Sequence, residues 1–145
     1  RAKLSANDKV VSEIGPGIMA VVGFTHDDTE VDVEYLCPKL LNLRIWNDDQ
    51  GKSWAKSAKD KDYQMLLVSQ FTLYHQFKGA KPDFHAAMQA DKAKVLYEYF
   101  LKKMAELYGK SDKIFPGAFG EKMQIEQVND GPVTLTLDSI KEPKL

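Results

Sequence analysis

The stretch YQMLLVSQFTLY, Tyr63 to Tyr74, decides how this chain is read. Along an extended chain, side chains point alternately to two faces. Met65, Leu67, Ser69, Phe71 and Leu73 would share one face. Gln64, Leu66, Val68, Gln70, Thr72 and Tyr74 would share the other. Both faces are apolar as far as Val68, which suits a strand covered on both sides. From Ser69 onward, hydroxyls and an amide replace the aliphatic side chains. Burying such a group without a partner costs about 1–3 kcal/mol. These groups therefore have internal partners, reach water or meet a ligand. Composition alone favours the plain reading, a strand that surfaces.

Upstream, KVVSEI (Lys9 to Ile14) reads as a strand, Gly15-Pro16-Gly17 as a turn, and IMAVVGF (Ile18 to Phe24) as a buried strand. Together they predict a hairpin. DDTEVDVEYLCPKLLNL reads as a helix. Thr29 caps it, Asp32 completes a capping-box spacing, and Val33, Leu36, Leu40 and Leu43 recur on one face. Pro38 removes an N–H and clashes with the preceding turn, at about 3 kcal/mol, so a kink or early stop is expected. LRIW then reads as a strand, NDDQGK as its turn and SWA as a weak return.

Downstream, HQFKGAKPDFHAAM reads as a loop with a short helical end. Asp91 to Gly109 reads as an amphipathic helix with a Leu96, Phe100, Met104 and Leu107 stripe and a glycine cap. KMQIEQV and VTLTLDS read as strands on either side of an Asn129-Asp130-Gly131-Pro132 tip. IKEPKL reads as a polar tail, 140–145. The order predicts one α+β domain over 1–145, with a mainly antiparallel sheet and two main helices.

The bulk numbers bound the function. A length of 145 residues suits one core. A net charge of −1 argues against a generally basic nucleic-acid coat. No apolar run is long enough to span a membrane, and no signal-peptide pattern opens the chain. A single cysteine, Cys37, fits a reducing compartment. A soluble, cytoplasmic protein is expected.

Most candidate sites have a plain explanation. His26, His75 and His85 are scattered and, with one cysteine, give no metal-ligand spacing. Neither a nucleophile elbow, a P-loop nor a dinucleotide fingerprint is present. Cys37 reads as a packing residue. The Lys56, Lys59, Lys61 and Lys78, Lys81 clusters read as solvated loops. At the tip, Gly131 permits backbone angles barred to other residues. Such a tip offers a ligand carbonyl oxygens, which accept hydrogen bonds from amino groups.

SQFTLY at a buried strand's end and NDGPVT at a tip, in this order, resemble the D-aminoacyl-tRNA deacylase family. SEIGPG, NLRIW, KPDF and GAFGEKMQ support the resemblance, which covers the chain from Arg1 to Ser139. The resemblance implies a compact β-barrel-like fold and a homodimer needing neither cofactor nor metal. The implied reaction is hydrolysis of the ester between a D-amino acid and the 3′ end of tRNA, a proofreading step that spares L-aminoacyl-tRNA. Glycyl-tRNA is an implied second substrate.

Ser69, Gln70, Phe71 and Thr72 match the family's catalytic stretch. Asn129, Asp130, Gly131, Pro132, Val133 and Thr134 match its substrate-binding tip. That tip is expected to carry a cis Gly131-Pro132 bond and to enter the partner's site as a chirality gauge. Phe119, Gly120 and Met123 match positions near the terminal adenosine. Two mechanisms follow: Thr72 as nucleophile, or backbone N–H groups near Phe71 and Thr72 stabilising an oxyanion while water attacks. The second is preferred, because no base adjoins Thr72 in sequence.

Two departures stand out. The family begins with a further strand that would precede Arg1, and Pro38 interrupts a helix usually unbroken. Two rivals remain: a non-catalytic nucleic-acid-binding module, and a relative with a trans Gly-Pro tip acting on mischarged L-aminoacyl-tRNA.

Overall fold

The computed structural model describes residues 1–139, so the expected polar tail lies outside the described residues. In chain order come β1 (Ala2–Ala6), β2 (Lys9–Ile14), β3 (Gly17–Val22), α1 (Glu30–Leu41), β4 (Gln64–Ser69), β5 (Gln76–Lys78), β6 (Lys81–Asp83), α2 (Ala90–Tyr108), β7 (Ile114–Pro116) and β8 (Met123–Gln127). The class is α+β with two helices. The strands group into an antiparallel β2-β1-β8 sheet, a β3-β4-β7 sheet and a β5-β6 ribbon.

Strand β4 is the hinge of the architecture, and its predicted alternation is realised. Met65 and Leu67 face the helix layer, packing with Val33, Cys37, Phe100 and Met104. Leu66 and Val68 face the antiparallel sheet, packing with Ala2, Leu4 and Ile14. All four β4 side chains are fully buried. Fully burying each contributes on the order of 1.5–3 kcal/mol.

The expected β2–β3 hairpin does not form. β2 turns back onto β1 through Asn7 and Asp8, whose φ angles of 51° and 61° give a left-handed two-residue turn. β3 instead lies parallel to β4, and β7 lies parallel to β4 on its other side. Parallel neighbours require long crossovers; α1 lies on the one from β3 to β4, and α2 on the one from β4 to β7. Near-continuous apolar runs such as IMAVV and MLLV are the composition of such strands.

The α1 capping box is present. Thr29 Oγ1 accepts from the Val31 N–H, and Asp32 Oδ2 accepts from the Thr29 N–H at 2.9 Å. The helix ends at Leu41, one turn beyond Pro38. Pro38 O accepts both the Asn42 N–H (3.0 Å) and its Nδ2 (2.8 Å), closing the end. α2 ends on Gly109 in the left-handed region, φ 81°.

Three other expectations are corrected. LRIW and SWA make no strands, only an isolated Trp46–Lys56 bridge. The Ile45 and Trp46 N–H groups both reach the one Lys56 carbonyl, so no ladder propagates. HQFKGAKPDF is not loop but the β5-β6 ribbon, turning on Gly79 at φ 64°. VTLTLDS pairs with no strand among the described residues. Its far end docks instead: Leu137 packs on the helix core, and Ser139 Oγ donates to Asp32 Oδ1 at 2.8 Å.

The C-terminal end of β4, which leads into the candidate site, is held from the helix layer. Buried Tyr97 donates its hydroxyl to Leu67 O (2.6 Å) and accepts the Gly117 N–H (3.0 Å). One side chain of α2 thus fixes β4 and the turn after β7. Burial pushes the Tyr97 hydroxyl pKa up, partly offset by the Gly117 N–H.

Candidate active site

The ladder runs out at Ser69, whose partner Val22 is the last residue of β3. The Gln70 N–H still reaches Val22 O at 2.8 Å. The chain then tightens into a 3-10 turn over Phe71–Leu73 instead of extending to Tyr74. Leu73 N–H reaches Gln70 O (3.3 Å) and Tyr74 N–H reaches Phe71 O (3.1 Å). Gly23 makes room for this turn: a Cβ there would lie 3.0 Å from Leu73 Cβ and 3.1 Å from Gln70 O.

The turn changes where each candidate residue points. Ser69, Gln70 and Thr72 are half-buried, and Phe71 is 60% exposed, its ring edge-on to Phe84 at 5.2 Å. Gln70 Nε2 donates to Thr72 Oγ1. His75, three residues on, places Nδ1 2.8 Å from the Thr72 carbonyl. A carbonyl only accepts, so Nδ1 carries the proton and Nε2 is the remaining basic nitrogen. No carboxylate, imidazole or amine bonds Thr72 Oγ1 among the described residues. The Phe71 and Thr72 N–H groups open the turn, and leading donors have no partner within a helix. Neither donates to a protein acceptor among the described residues.

At the tip, the Asn129 side chain braces both limbs. Its Nδ2 donates to Thr134 Oγ1 (3.1 Å), and its Oδ1 accepts the Val133 N–H (3.3 Å). Gly131 has φ 113°, and the Gly131-Pro132 peptide is cis, as the resemblance implies. Asn129, Asp130, Gly131, Pro132 and Thr134 are exposed, while Val133 is half-buried. No protein donor reaches the Asp130 or Gly131 carbonyls among the described residues.

One chain does not bring the two motifs together. No hydrogen bond joins the tip to Ser69–Thr72 among the described residues. A cleft of about 1330 Å³ opens between β3, α1 and the segment from Gln127 to Ser139. Gly131 and Val133 line it, as do Leu73 and Tyr74, but Ser69, Gln70, Phe71 and Thr72 do not.

Phe119, Gly120 and Met123 sit together after β7. The Phe119 ring lies 5.7 Å from that of Tyr97, so it closes the core beside the strand end. Met123 Sδ accepts the Ala118 N–H at 3.2 Å, and Gly120 turns the chain at φ 77°.

Cys37 is fully buried, and burial pushes its thiol pKa up to about 12, so it stays a protonated packing group. No group of three or more His, Cys, Asp or Glu residues is placed to hold a metal among the described residues. Sequence reasoning named His75 only as one of three scattered histidines, and it missed Gly23. The i, i+3 spacing of Thr72 and His75 carried a signal only if the strand was known to end at Ser69.

A sequence model of the D-Tyr-tRNA(Tyr) deacylase family matches residues 1–138. The chain is 50% identical over 138 residues to a Drosophila melanogaster protein named D-aminoacyl-tRNA deacylase, covering 95% of this chain and 86% of that one. It is 44% identical over 139 residues to a Dictyostelium discoideum protein of the same name, covering 95% and 91%. A solved structure titled c-Myc DNA Unwinding Element Binding Protein superposes with a TM-score of 0.90 at 41% identity, covering 99% of this chain and 93% of that one. With a match across nearly its whole length, the chain belongs to the D-Tyr-tRNA(Tyr) deacylase family.

Proposed function

We propose that this protein hydrolyses the ester of D-aminoacyl-tRNA, and of glycyl-tRNA, in the cytoplasm, as a proofreading step that spares L-aminoacyl-tRNA. The observation that carries the reading is the turn after β4, whose two leading N–H groups meet no protein acceptor among the described residues, beside an exposed aromatic ring. Paired donors of this kind suit the oxygen of a tetrahedral intermediate. Water adds to the ester carbonyl carbon, and the carbonyl oxygen takes the negative charge between the Phe71 and Thr72 N–H groups. The C–O bond to the ribose then breaks, and the departing ribose oxygen takes a proton. Free amino acid and tRNA result. The neighbouring ribose hydroxyl of the substrate assists the attacking water.

Thr72 is a supporting residue in this reading. Its Oγ1 already accepts from Gln70, and no basic side chain bonds it among the described residues. Thr72→Ala should therefore keep kcat within about tenfold, whereas losing a true nucleophile costs several powers of ten. Single-turnover release of amino acid measures it. A 10⁴-fold drop (about that of a lost nucleophile) with binding intact would make Thr72 the nucleophile.

The tip acts on a partner's site. The tip makes no hydrogen bond to its own Ser69–Thr72 among the described residues, and the outer edge of β3 borders the cleft with no neighbouring strand among them. A second copy covers that edge and brings the tip to the catalytic turn, where the Asp130 and Gly131 carbonyls hold the α-amino group. Phe119, Gly120 and Met123 flank the terminal adenosine.

The test is release of amino acid from matched D- and L-aminoacyl-tRNA by the unmodified chain and by Gly131→Ala. At φ 113°, an alanine Cβ would sit 2.9 Å from Val133 Cγ2, so the tip must move. Fast D-ester cleavage with the L-ester spared is expected, and the variant should lose most of that preference. The similarity to a DNA-element-binding protein supports a second reading, a nucleic-acid-binding module without catalysis. Absence of cleavage of either ester, with RNA binding retained, would select it.

A further inference from the structure

We infer that Tyr97 and Ser12 are positioning residues, which clamp one peptide unit and so set the distance between the adenosine-flanking segment and the turn after β4. The inference rests on the deacylase reading for its substrate, and on Phe119 as a neighbour of the terminal adenosine. The peptide unit joins Pro116 to Gly117, at the exit of β7. Its carbonyl, on Pro116, accepts the Ser12 hydroxyl of β2 at 2.6 Å. Its N–H, on Gly117, reaches the Tyr97 hydroxyl of α2 at 3.0 Å. The Tyr97 hydroxyl in turn donates to Leu67 O of β4 at 2.6 Å. The unit is thus gripped at both ends, by side chains from the antiparallel sheet and from the helix layer. Ser12 and Tyr97 are both buried.

The grip stands between the two groups that the reaction must bring into register. Leu67 lies in β4 just before its last residue, Ser69, and the turn begins at Phe71. Gly117 lies just before Phe119, whose ring is inclined at 30° to that of Tyr97. A Cβ on Gly117 would lie 3.2 Å from both Val68 Cγ1 and Met123 Sδ, so the segment is seated close against β4 and β8. Stability alone does not call for the Tyr97 hydroxyl. The Gly117 N–H also reaches Leu67 O, at 3.2 Å, so those two groups satisfy one another without it. A buried hydroxyl must be desolvated, and its hydrogen bonds return little net stability. What the hydroxyl adds is geometry. It shares the Gly117 N–H with Leu67 O and holds Gly117 back from closing fully on the strand. Ser12 holds the carbonyl of the same unit, which fixes its rotation about the chain. Without either hydroxyl the unit relaxes and carries Phe119 with it.

The test compares release of D-tyrosine from D-tyrosyl-adenosine and from the same ester on a ribose without a base. Both esters carry the neighbouring ribose hydroxyl, and only the first can use Phe119. Tyr97→Phe keeps the ring and loses the hydroxyl. The ratio of kcat/KM for the adenosine ester to that for the baseless ester should fall about tenfold, a fraction of the 10²-fold that a misplacement of about 1 Å costs. Free adenosine, used as a competitor, should bind with unchanged affinity, which puts the loss in kcat. Ser12→Ala should lower the same ratio. The double variant should lose little more than either, because both hydroxyls hold one peptide unit. An unchanged ratio in both single variants overturns the inference, whether the two rates fall together, as a purely structural role predicts, or neither falls. A loss confined to adenosine affinity also overturns it. If the unmodified chain cleaves neither ester, the deacylase reading fails, and amide chemical shifts decide the clamp. Adding adenosine should then move the Phe71 and Thr72 amide signals in the unmodified chain and leave them in place in Tyr97→Phe. Equal responses in the two overturn the inference.

Discussion

Phe71→Pro will lower kcat on a D-aminoacyl ester about 10²–10³-fold relative to Phe71→Ala, the usual cost of one oxyanion donor. Phe71 is the first residue of the 3-10 turn, and Gln70 before it is extended at φ −145° and ψ 89°. Proline is tolerated at a first helical position and needs an extended predecessor. Its fixed φ near −65° falls in the 3-10 range. Proline should therefore keep the turn while deleting one N–H. Phe71→Ala keeps the N–H and loses the ring contact with Phe84, so the ratio of the two isolates the donor. KM should change far less than kcat, because the donor meets charge only in the transition state. Equal kcat for the two variants, with unchanged melting temperatures, would remove the Phe71 N–H from the reaction.

The elements of this fold were more legible than their partners. β2, β3, β4, α1, α2 and β8 all follow from apolar runs, a capping box, a helical stripe and a terminal glycine. Pairing did not follow, because a run such as IMAVV fits any buried strand, and only its neighbours decide direction. β1 was missed because AKLSA is short and weakly apolar; it becomes a central strand only once β2 and β8 flank it. The β5-β6 ribbon was hidden by glycine and proline, which read as loop until Gly79 is seen at the turn. The candidate site was legible as composition and not as shape. SQFT marks a polar end to an apolar strand, yet its donors exist because β3 stops at Val22 and the chain tightens. The Asn129 brace was equally invisible, since nothing in NDGPVT says which side chain closes the loop.

Gly17→Ala should be among the most destabilising single changes in this chain, and the reason is room rather than backbone angle. At Gly17, β3 begins its parallel run against Gln64, the first residue of β4. A Cβ on Gly17 would sit 1.8 Å from Gln64 O and 2.8 Å from Gln64 C, both backbone atoms that cannot swing aside. Gln64 is held there twice more: its N–H reaches Pro16 O at 3.2 Å, and its Oε1 accepts the Gly15 N–H at 2.7 Å. Relief therefore means pulling β3 off β4, the strand that carries both faces of the core. A loss of about 4 kcal/mol is expected, at the upper end for single substitutions. For a chain of this size that lowers the melting temperature by roughly 8–16 °C. Against a total stability of about 5–15 kcal/mol, much of the population would unfold on modest warming. Gly15→Ala is the control. Its Cβ would meet only Gln64 Oε1, at an ordinary 3.6 Å, so its effect should stay within about 1 kcal/mol. Thermal unfolding of the two variants separates steric need from any general dislike of replacing glycine in this turn. If both melt alike, the parallel β3–β4 register at Gly17 is wrong, and the position of the Val22–Ser69 strand end, on which the proposed catalytic turn depends, falls with it.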